Sequence, residues 1–276
     1  MLRQRALSAA VLVPPLLVAI VLGDPWIPAV VALATGLAAL ETFSLLRAAG
    51  FPTLRILGTI LAVAVVVEAA VPRELDGSGQ LLIALGAILI AVAAFALDDP
   101  RDGLVTWLAT VFGAVYASLL AFVVRLGEVA PAIPVGAPLA ALDDGRGWIL
   151  VLVVGVWGYD TGAYLVGRRF GRRRFLAHIS PSKTYAGLLG GLVAAGVAIG
   201  AVLAGLGQPP IQALLLGPLV GLASQAGDLA ESMLKRAAGA KDSGSLIPGH
   251  GGILDRLDSF LFAAPVVTLY VVTLVR

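Results

Sequence analysis

The sequence predicts an all-α integral membrane protein with about nine transmembrane helices, a cytoplasmic N-terminus and a C-terminus on the outside. Three observations predict this fold class: composition, the length of the apolar segments, and the positions of Lys and Arg. Of the 276 residues, 59% are hydrophobic and 13% are charged, and the mean hydropathy is +0.98. Soluble domains contain about 45–50% apolar and about 25% charged residues. The composition therefore argues against a soluble fold.

Long apolar segments recur through the whole chain. A transmembrane helix needs about 20 predominantly apolar residues. The candidate spans are 6–23, 26–46, 54–71, 80–97, 104–124, 148–167, 185–206, 211–234 and 257–275. Arg3 and Arg5 precede the first span, as in a signal peptide, but Pro14 and Pro15 interrupt its apolar run and no clear cleavage site follows. We therefore expect the first span to be retained.

The positions of Lys and Arg orient the spans. Cytoplasmic loops of membrane proteins carry an excess of these residues. With the N-terminus in the cytoplasm, fifteen of the nineteen Lys and Arg residues fall on the cytoplasmic side. The outer side receives Arg73, Arg125, Arg146 and Arg276. The basic segment 168–174 by itself favours a cytoplasmic location for the later loops.

The chain is predicted to have two regions that differ in polar content. Residues 1–147 hold spans one to five and are predicted to act as a scaffold. Residues 148–276 hold the later spans and two polar cytoplasmic loops, 168–184 and 236–256. The segment 228–258, which contains the second loop, holds nine charged residues of both signs, so we expect the catalytic region in this C-terminal part.

Charged side chains within apolar spans are costly in lipid, so each one is a functional candidate by default. Glu41 and Glu68, near the ends of the second and third spans, are interpreted as interfacial or helix-pairing carboxylates. Asp160 lies well inside the sixth span, where Tyr159 and Tyr164 add hydroxyl groups. This polar group predicts a water-filled pocket that opens to the cytoplasm.

Three aspartates predict a metal site. The chain has no cysteine and only two histidines, which excludes disulfides, thiolate sites and poly-histidine sites. Asp228 lies near the end of the eighth span, inward of Arg236, and needs a cation or a polar partner. Asp255 and Asp258 open the ninth span, and their spacing of three places them on one helical face. Simple capping of a helix N-terminus is the alternative for these two. Three carboxylates with oxygen ligands suit a hard cation such as Mg²⁺.

Cations, hydroxyls and a glycine-rich turn near these acids suit phosphate. Backbone N–H groups of such a turn can face an anion at a helix start. The candidates are the cations Lys183, Arg236 and Lys241, the hydroxyl residues Ser180, Ser182 and Thr184, and the turn residues Gly249, Gly251 and Gly252. Acids that can hold a metal, together with cations and such a turn, predict an enzyme that acts on phosphorylated substrates.

The segment 232–258 resembles the signature of the phosphatidate cytidylyltransferases, which are also called CDP-diacylglycerol synthases. Its twelve matching positions are Ser232, Lys235, Arg236, Lys241, Asp242, Pro248, His250, Gly251, Gly252, Asp255, Arg256 and Asp258. Two further blocks, 160–167 and 180–187, also resemble the family. The earlier spans resemble it only in their apolar character.

The resemblance implies that CTP and phosphatidate react to give CDP-diacylglycerol and pyrophosphate, with Mg²⁺ and a possible second cation such as K⁺. It also implies a homodimer in the cell membrane, with its active site on the cytoplasmic side and no nucleic-acid partner. The catalytic candidates are Asp228, Lys241, His250, Asp255 and Asp258. Three of them, Asp228, Asp255 and Asp258, are also the metal candidates. The substrate-binding candidates are Asp160, Tyr164, Ser180, Lys183, Thr184, Arg236, Asp242, Gly251, Gly252 and Arg256.

Two other functions are compatible with parts of this pattern. A CTP-dependent lipid kinase, acting on polyprenol or phytol, would share the membrane setting and the nucleotide, but it would release CDP and no pyrophosphate. An ion-coupled transporter would also have many spans and buried carboxylates. Its polar residues should lie near the middle of the membrane in related halves of the chain, whereas here they concentrate at one end of the late spans.

Overall fold

The computed structural model describes residues 18–71, 78–246 and 251–275, which form α-helices joined by loops and no β-strand. The helices are α1 (Trp26–Ala48), α2 (Arg55–Ala69), α3 (Ser78–Ala94), α4 (Pro100–Ser118), α5 (Ala121–Val129), α6 (Asp144–Phe170), α7 (Tyr185–Gly205), α8 (Ala213–Ala237) and α9 (Leu254–Tyr270). A 3₁₀ turn, Pro210–Gln212, precedes α8, and a π-helical turn, Val271–Val275, follows α9.

The all-helical membrane class is confirmed. Five helices of the described chain are long and apolar enough to cross a membrane, or six if the bent pair α4 and α5 forms one span. The helix α3 is apolar but has 17 residues, and α2 has 15. Most of the first predicted span, 6–23, lies outside the described residues. The total of nine spans and the orientation of the termini stay predictions.

The helices form two compact units, each made from two parts of the chain. The first unit contains Met1–Val124 and Met233–Leu257, and the second contains Arg125–Ser232 and Asp258–Arg276. The boundary predicted after residue 147 separates a scaffold from a catalytic region, and that functional division stays a prediction.

The core of the first unit is built around Phe43. In this unit α1, α2 and α4 pack against one another, and α3 packs against α2 and α4. The Phe43 side chain on α1 is fully buried. A β carbon at Gly58 on α2 or at Gly113 on α4 would collide with the Phe43 ring. Small residues let helices approach closely in lipid, so these two glycines allow three helices to meet at one aromatic ring.

The core of the second unit depends on glycine contacts between α6 and α7. A β carbon at Gly162 would collide with Ala194 Cβ and lie 2.9 Å from Gly190 O. The ring of the buried Tyr159, one turn earlier, packs against Gly191. Its hydroxyl donates to Gln225 Oε1 on α8 at 2.8 Å. The polar end of this ring therefore has a partner inside the apolar core.

Replacing Gly162 with alanine is expected to lower the thermal unfolding temperature in detergent. Overpacking a filled contact costs about 1–3 kcal/mol, and the added methyl group has no space between α6 and α7. Gly196→Ala is the matched control, because the nearest atom to its β carbon is Ala213 O at 3.5 Å. Thermal melts of both purified variants provide the measurement. Equal unfolding temperatures would contradict the packing described for Gly162.

Candidate active site

Asp255 is the centre of a buried polar cluster in the first unit. Its Oδ1 accepts a hydrogen bond from Lys235 Nζ at 2.6 Å, and its Oδ2 accepts from the backbone N–H groups of Ser243 and Gly252, each at 2.8 Å. Ser243 Oγ also lies 2.8 Å from Oδ2. The Asp255 side chain is 7% exposed and the Lys235 side chain 13%. One carboxylate thus joins the end of α8, the loop that follows and the start of α9.

The position of Asp255 in its helix explains part of this arrangement. Asp255 is the second residue of α9, where a carboxylate faces the positive end of the helix dipole. Its bond back to the N–H of Gly252 is similar to the reach of an acid in a capping box. Asp255 therefore caps the start of α9, as the capping alternative predicts. Its contact with Lys235 is additional, because capping does not require a charged partner.

Glu41 on α1 completes the cluster, and the interpretation of it as an interfacial or helix-pairing residue missed this role. Its Oε1 accepts from the N–H of Ile253 at 3.0 Å and its Oε2 from the N–H of Leu254 at 2.8 Å. Ser243 Oγ lies 2.9 Å from Oε2. The cost of a carboxylate in an apolar span was the signal that singled Glu41 out. That signal carries no information about a partner more than 200 residues away.

The glycine-rich turn is shaped by these carboxylates. Gly251 has φ +78°, a conformation that glycine adopts without strain, and a β carbon there would lie 2.5 Å from Asp255 Oδ2. The N–H of Gly252 is directed at Asp255. In this state the anion at the helix start is therefore the protein's own carboxylate. Substrate binding by Gly251 and Gly252 stays a prediction, and His250 lies outside the described residues.

The remaining charged candidates of the first unit are exposed. They are Arg236, Lys241, Asp242 and Arg256. The Nη1 atom of Arg236 lies 3.4 Å from Ala240 O, a long contact that leaves most of the guanidinium at the surface. Their accessibility suits the binding of an anion, and the predicted roles of all four stay predictions.

In the second unit, Asp228 on α8 forms an ion pair with Lys183, between Oδ2 and Nζ. Lys183 thus supplies the cation that the position of Asp228 requires. Both side chains are partly exposed, 27% for Lys183 and 22% for Asp228. Ser232 Oγ lies 3.5 Å from Asp228 Oδ1, at the outer limit of a hydrogen bond. This pair places an acid of α8 beside a cation from the loop before α7.

Asp258 lies on the helix that packs beside Asp228. A β carbon at Gly227 would collide with the backbone carbonyl oxygen of Asp258, so α8 and this part of α9 are in backbone contact. Asp258 Oδ1 accepts from the N–H of Ser259 at 2.7 Å. The missing side chain of Gly227 is what brings the backbones bearing Asp228 and Asp258 together.

A short hairpin-like loop presents Lys183. The N–H of Phe175 donates to Lys183 O at 3.2 Å, and the N–H of Tyr185 donates to Arg173 O at 3.1 Å. Thr184 caps α7 by accepting from the N–H of Gly187 at 3.1 Å. Thr184 therefore caps a helix, in addition to its predicted role in substrate binding. Ser180, in the same loop, is buried.

Two site candidates of α6 lie at its surface. Asp160 and Tyr164 are both exposed, and Tyr164 Oη accepts from Arg168 Nη1 at 3.0 Å. A spacing of four residues places Asp160 and Tyr164 on one face of α6. The predicted water-filled pocket at Asp160 stays a prediction.

The carboxylates have the oxygen chemistry that Mg²⁺ prefers, but the described residues do not gather them into a metal site. Within the ranges that the structure covers, no group of three His, Asp or Glu side chains lies close enough to hold a metal ion. Lysine ammonium groups balance the charges of Asp228 and Asp255 in this state. Asp228, Asp255 and Asp258 offer the oxygen donors that this ion prefers. Their arrangement around one metal ion stays a prediction.

Comparison with known proteins gives a match along nearly the whole chain. The model of a family described as "Cytidylyltransferase family" matches residues 3–274. A phosphatidate cytidylyltransferase from Synechocystis is 35% identical in an alignment that covers 98% of this chain and 97% of that protein. One from Bacillus subtilis is 37% identical over 70% of this chain and 68% of its own length. The uncharacterized Escherichia coli protein YnbB is 35% identical over 68% of this chain and 59% of its own length.

Proposed function

This chain belongs to the cytidylyltransferase family, and from that premise we propose that it transfers CMP from CTP to phosphatidate, giving CDP-diacylglycerol and pyrophosphate. The observation that carries the proposal is the Synechocystis phosphatidate cytidylyltransferase, which matches this chain from end to end at 35% identity. The family match confirms the resemblance inferred from the signature segment. The two polar clusters support the proposal, because each contains acids and cations of that segment or of the 180–187 block.

The reaction is a displacement at the α-phosphorus of CTP. An oxygen of the phosphatidate phosphate forms a new bond to this phosphorus while the bond to the bridging oxygen of the β-phosphate breaks, and pyrophosphate leaves. A phosphate monoester has a second pKa of about 6 and is largely dianionic at neutral pH. The nucleophile therefore needs no strong protein base. The main barrier is the repulsion between two anions.

The residues of the site suit that electrostatic task. Lys183, Arg236 and Lys241 are cations that can neutralise the triphosphate or the lipid phosphate, and charge stabilisation of this kind is a major source of catalysis. His250 is proposed as a further phosphate contact. Asp242, Arg256 and the hydroxyl candidates of the 180–187 block are proposed to orient the substrates.

We extend the proposal to a divalent cation, Mg²⁺, and to a second cation such as K⁺. Asp228, Asp255 and Asp258 are the residues whose carboxylate oxygens would hold Mg²⁺, which supplies charge neutralisation at the phosphates when bound. In the present state Asp228 and Asp255 are paired with lysines. Their negative charge is therefore available for a cation once those lysines move to phosphate.

The membrane setting is also part of the proposal. The excess of Lys and Arg in alternate loops supports nine spans, a cytoplasmic N-terminus, an outer C-terminus and an active site on the cytoplasmic side of the cell membrane. The five to six apolar helices of the described chain support a multi-pass protein. A homodimer is proposed from the family resemblance.

Parallel assays with two labelled forms of CTP test the function. We expect purified protein incubated with phosphatidate and Mg²⁺ to transfer label from the α-phosphate of CTP into the lipid, and none from the γ-phosphate. Pyrophosphate should appear in equal amount, and chelation of Mg²⁺ should stop the reaction. Transfer of the γ-label to a polyprenol or phytol would establish the lipid kinase instead. Substrate flux in proteoliposomes without chemical turnover would establish the transporter.

A further inference from the structure

We propose that Glu41 is a positioning residue, which holds Ser243, Ile253 and Leu254 against α1 and thereby sets the placement of Asp255. The inference rests on the proposed function and deepens it, because it gives the N-terminal helices a task beyond that of a scaffold. Every residue involved belongs to the first unit.

Glu41 and Asp255 accept hydrogen bonds from different N–H groups at the start of α9. The first N–H groups of a helix have no partner within the helix. Glu41 accepts those of Ile253 and Leu254, and Asp255 accepts that of Gly252. A carboxylate from α1 therefore satisfies two of the amides that would otherwise attract Asp255. Asp255 keeps its Oδ1 directed at Lys235.

The hydroxyl of Ser243 couples the two carboxylates. Its oxygen lies 2.9 Å from Glu41 Oε2 and 2.8 Å from Asp255 Oδ2. A hydroxyl group has a single proton to donate, so Ser243 serves one carboxylate at a time. When Ser243 donates to Glu41, Asp255 Oδ2 loses this hydroxyl donor and is more available to a cation or a substrate donor.

The surroundings of Glu41 are rigid and closely fitted. Phe43, two residues later on α1, is locked between Gly58 and Gly113 and fixes the backbone that carries Glu41. A β carbon at Gly252 would collide with Glu41 Oε2, and one at Gly244 would lie 2.6 Å from Oε1. Glycine at these two positions therefore lets the backbone approach the carboxylate closely. A supporting residue on a rigid helix is what a precisely held site requires.

Glu41→Gln tests the proposal, because it keeps the side-chain length and removes the charge. We expect kcat to fall by about 10- to 100-fold, the range that a small misplacement of a catalytic group can produce, while KM for CTP and for phosphatidate changes by less than about threefold. Glu68→Gln is the matched control. Glu68 is a buried carboxylate of the same unit that accepts from Ser78 Oγ at 2.6 Å, and its substitution should leave kcat unchanged.

A second measurement reports on the turn without relying on activity. The chain has no cysteine, so a single cysteine at the exposed position Ser245 accepts a spin label selectively. Glu41→Gln should increase the mobility of this label and leave a label at the exposed Ala177 unchanged, and Glu68→Gln should affect neither. Adding Ser243→Ala to Glu41→Gln should lower kcat by less than the product of the two single effects, because both act through one hydroxyl.

The outcomes separate the two proposals. Wild-type kcat in Glu41→Gln, or equal mobilisation of the labels at 245 and 177, would overturn the role of Glu41. If the wild-type protein forms no CDP-diacylglycerol, the proposed function fails, whereas the label at 245 still decides whether Glu41 holds the turn.

Discussion

Replacing Asp228 with asparagine is expected to reduce CDP-diacylglycerol formation by about 100- to 1,000-fold, the loss typical when one charge-stabilising group is removed from an active site. Asparagine keeps the shape of the side chain but has no negative charge to balance Lys183 or to neutralise a bound cation. Initial rates with α-labelled CTP and saturating phosphatidate provide the measurement. The folded fraction is checked by the thermal unfolding temperature in detergent.

A pair of further variants separates a catalytic role of Asp228 from a structural one. Lys183→Met removes the partner cation alone, and the double variant with Asp228→Asn removes the ion pair while leaving no unbalanced charge. If Asp228 served only to balance Lys183, the double variant would be as active as Lys183→Met, because the partner of Asp228 is already absent there. We expect the double variant to be clearly less active than Lys183→Met. Near wild-type turnover in Asp228→Asn would remove this residue from the site.

Replacing Asp255 with asparagine is expected to abolish measurable transfer and to lower stability as well. The carboxylate receives Lys235 Nζ and two backbone N–H groups, and an asparagine amide would turn a donor toward one of them. It would also leave the Lys235 ammonium, 13% exposed, without its carboxylate. Breaking a buried pair by removing one partner costs about 3–5 kcal/mol. Unfolding temperature and transfer rate are measured on the same preparation.

The double variant Lys235→Met with Asp255→Asn distinguishes the loss of stability from the loss of transfer. Removing the ammonium that has lost its carboxylate is expected to restore part of the stability, whereas transfer should stay absent. A double variant that regained both stability and transfer would show that Asp255 acts only through Lys235. The proposal that Asp255 takes part in the reaction would then be wrong.

Much of the fold follows from hydropathy because each helix that packs in lipid must be long and apolar. The predicted span 26–46 corresponds to α1, Trp26–Ala48, and the predicted span 185–206 to α7, Tyr185–Gly205. The span predicted at 104–124 is instead two helices, α4 and α5, with a bend of 41° between them. Apolar residues continue on both sides of the bend, so hydropathy contains no signal for it.

The site was less predictable than the fold, since its contacts join residues far apart in the sequence. Helical spacing reports neighbours three or four residues apart, and it says nothing of Lys235 with Asp255, which are 20 residues apart. The signature identified Asp255 but not its partners Ser243 and Glu41. A lone acid in an apolar span shows that a partner is needed. Only the packing of α1 against the turn determines which partner it is.

The hydrogen bonds of Glu41 also have a consequence for biosynthesis. Ile253 and Leu254 follow Glu41 by 212 and 213 residues. At about 5–20 residues per second, the ribosome adds these amides roughly 10–40 s after the carboxylate. The nascent α1 therefore reaches the bilayer before its hydrogen-bond donors have been made. The start of α9 is joined to α1 only after more than 200 further residues have been translated, so a chain truncated before residue 253 lacks the completed cluster however well its early helices have inserted.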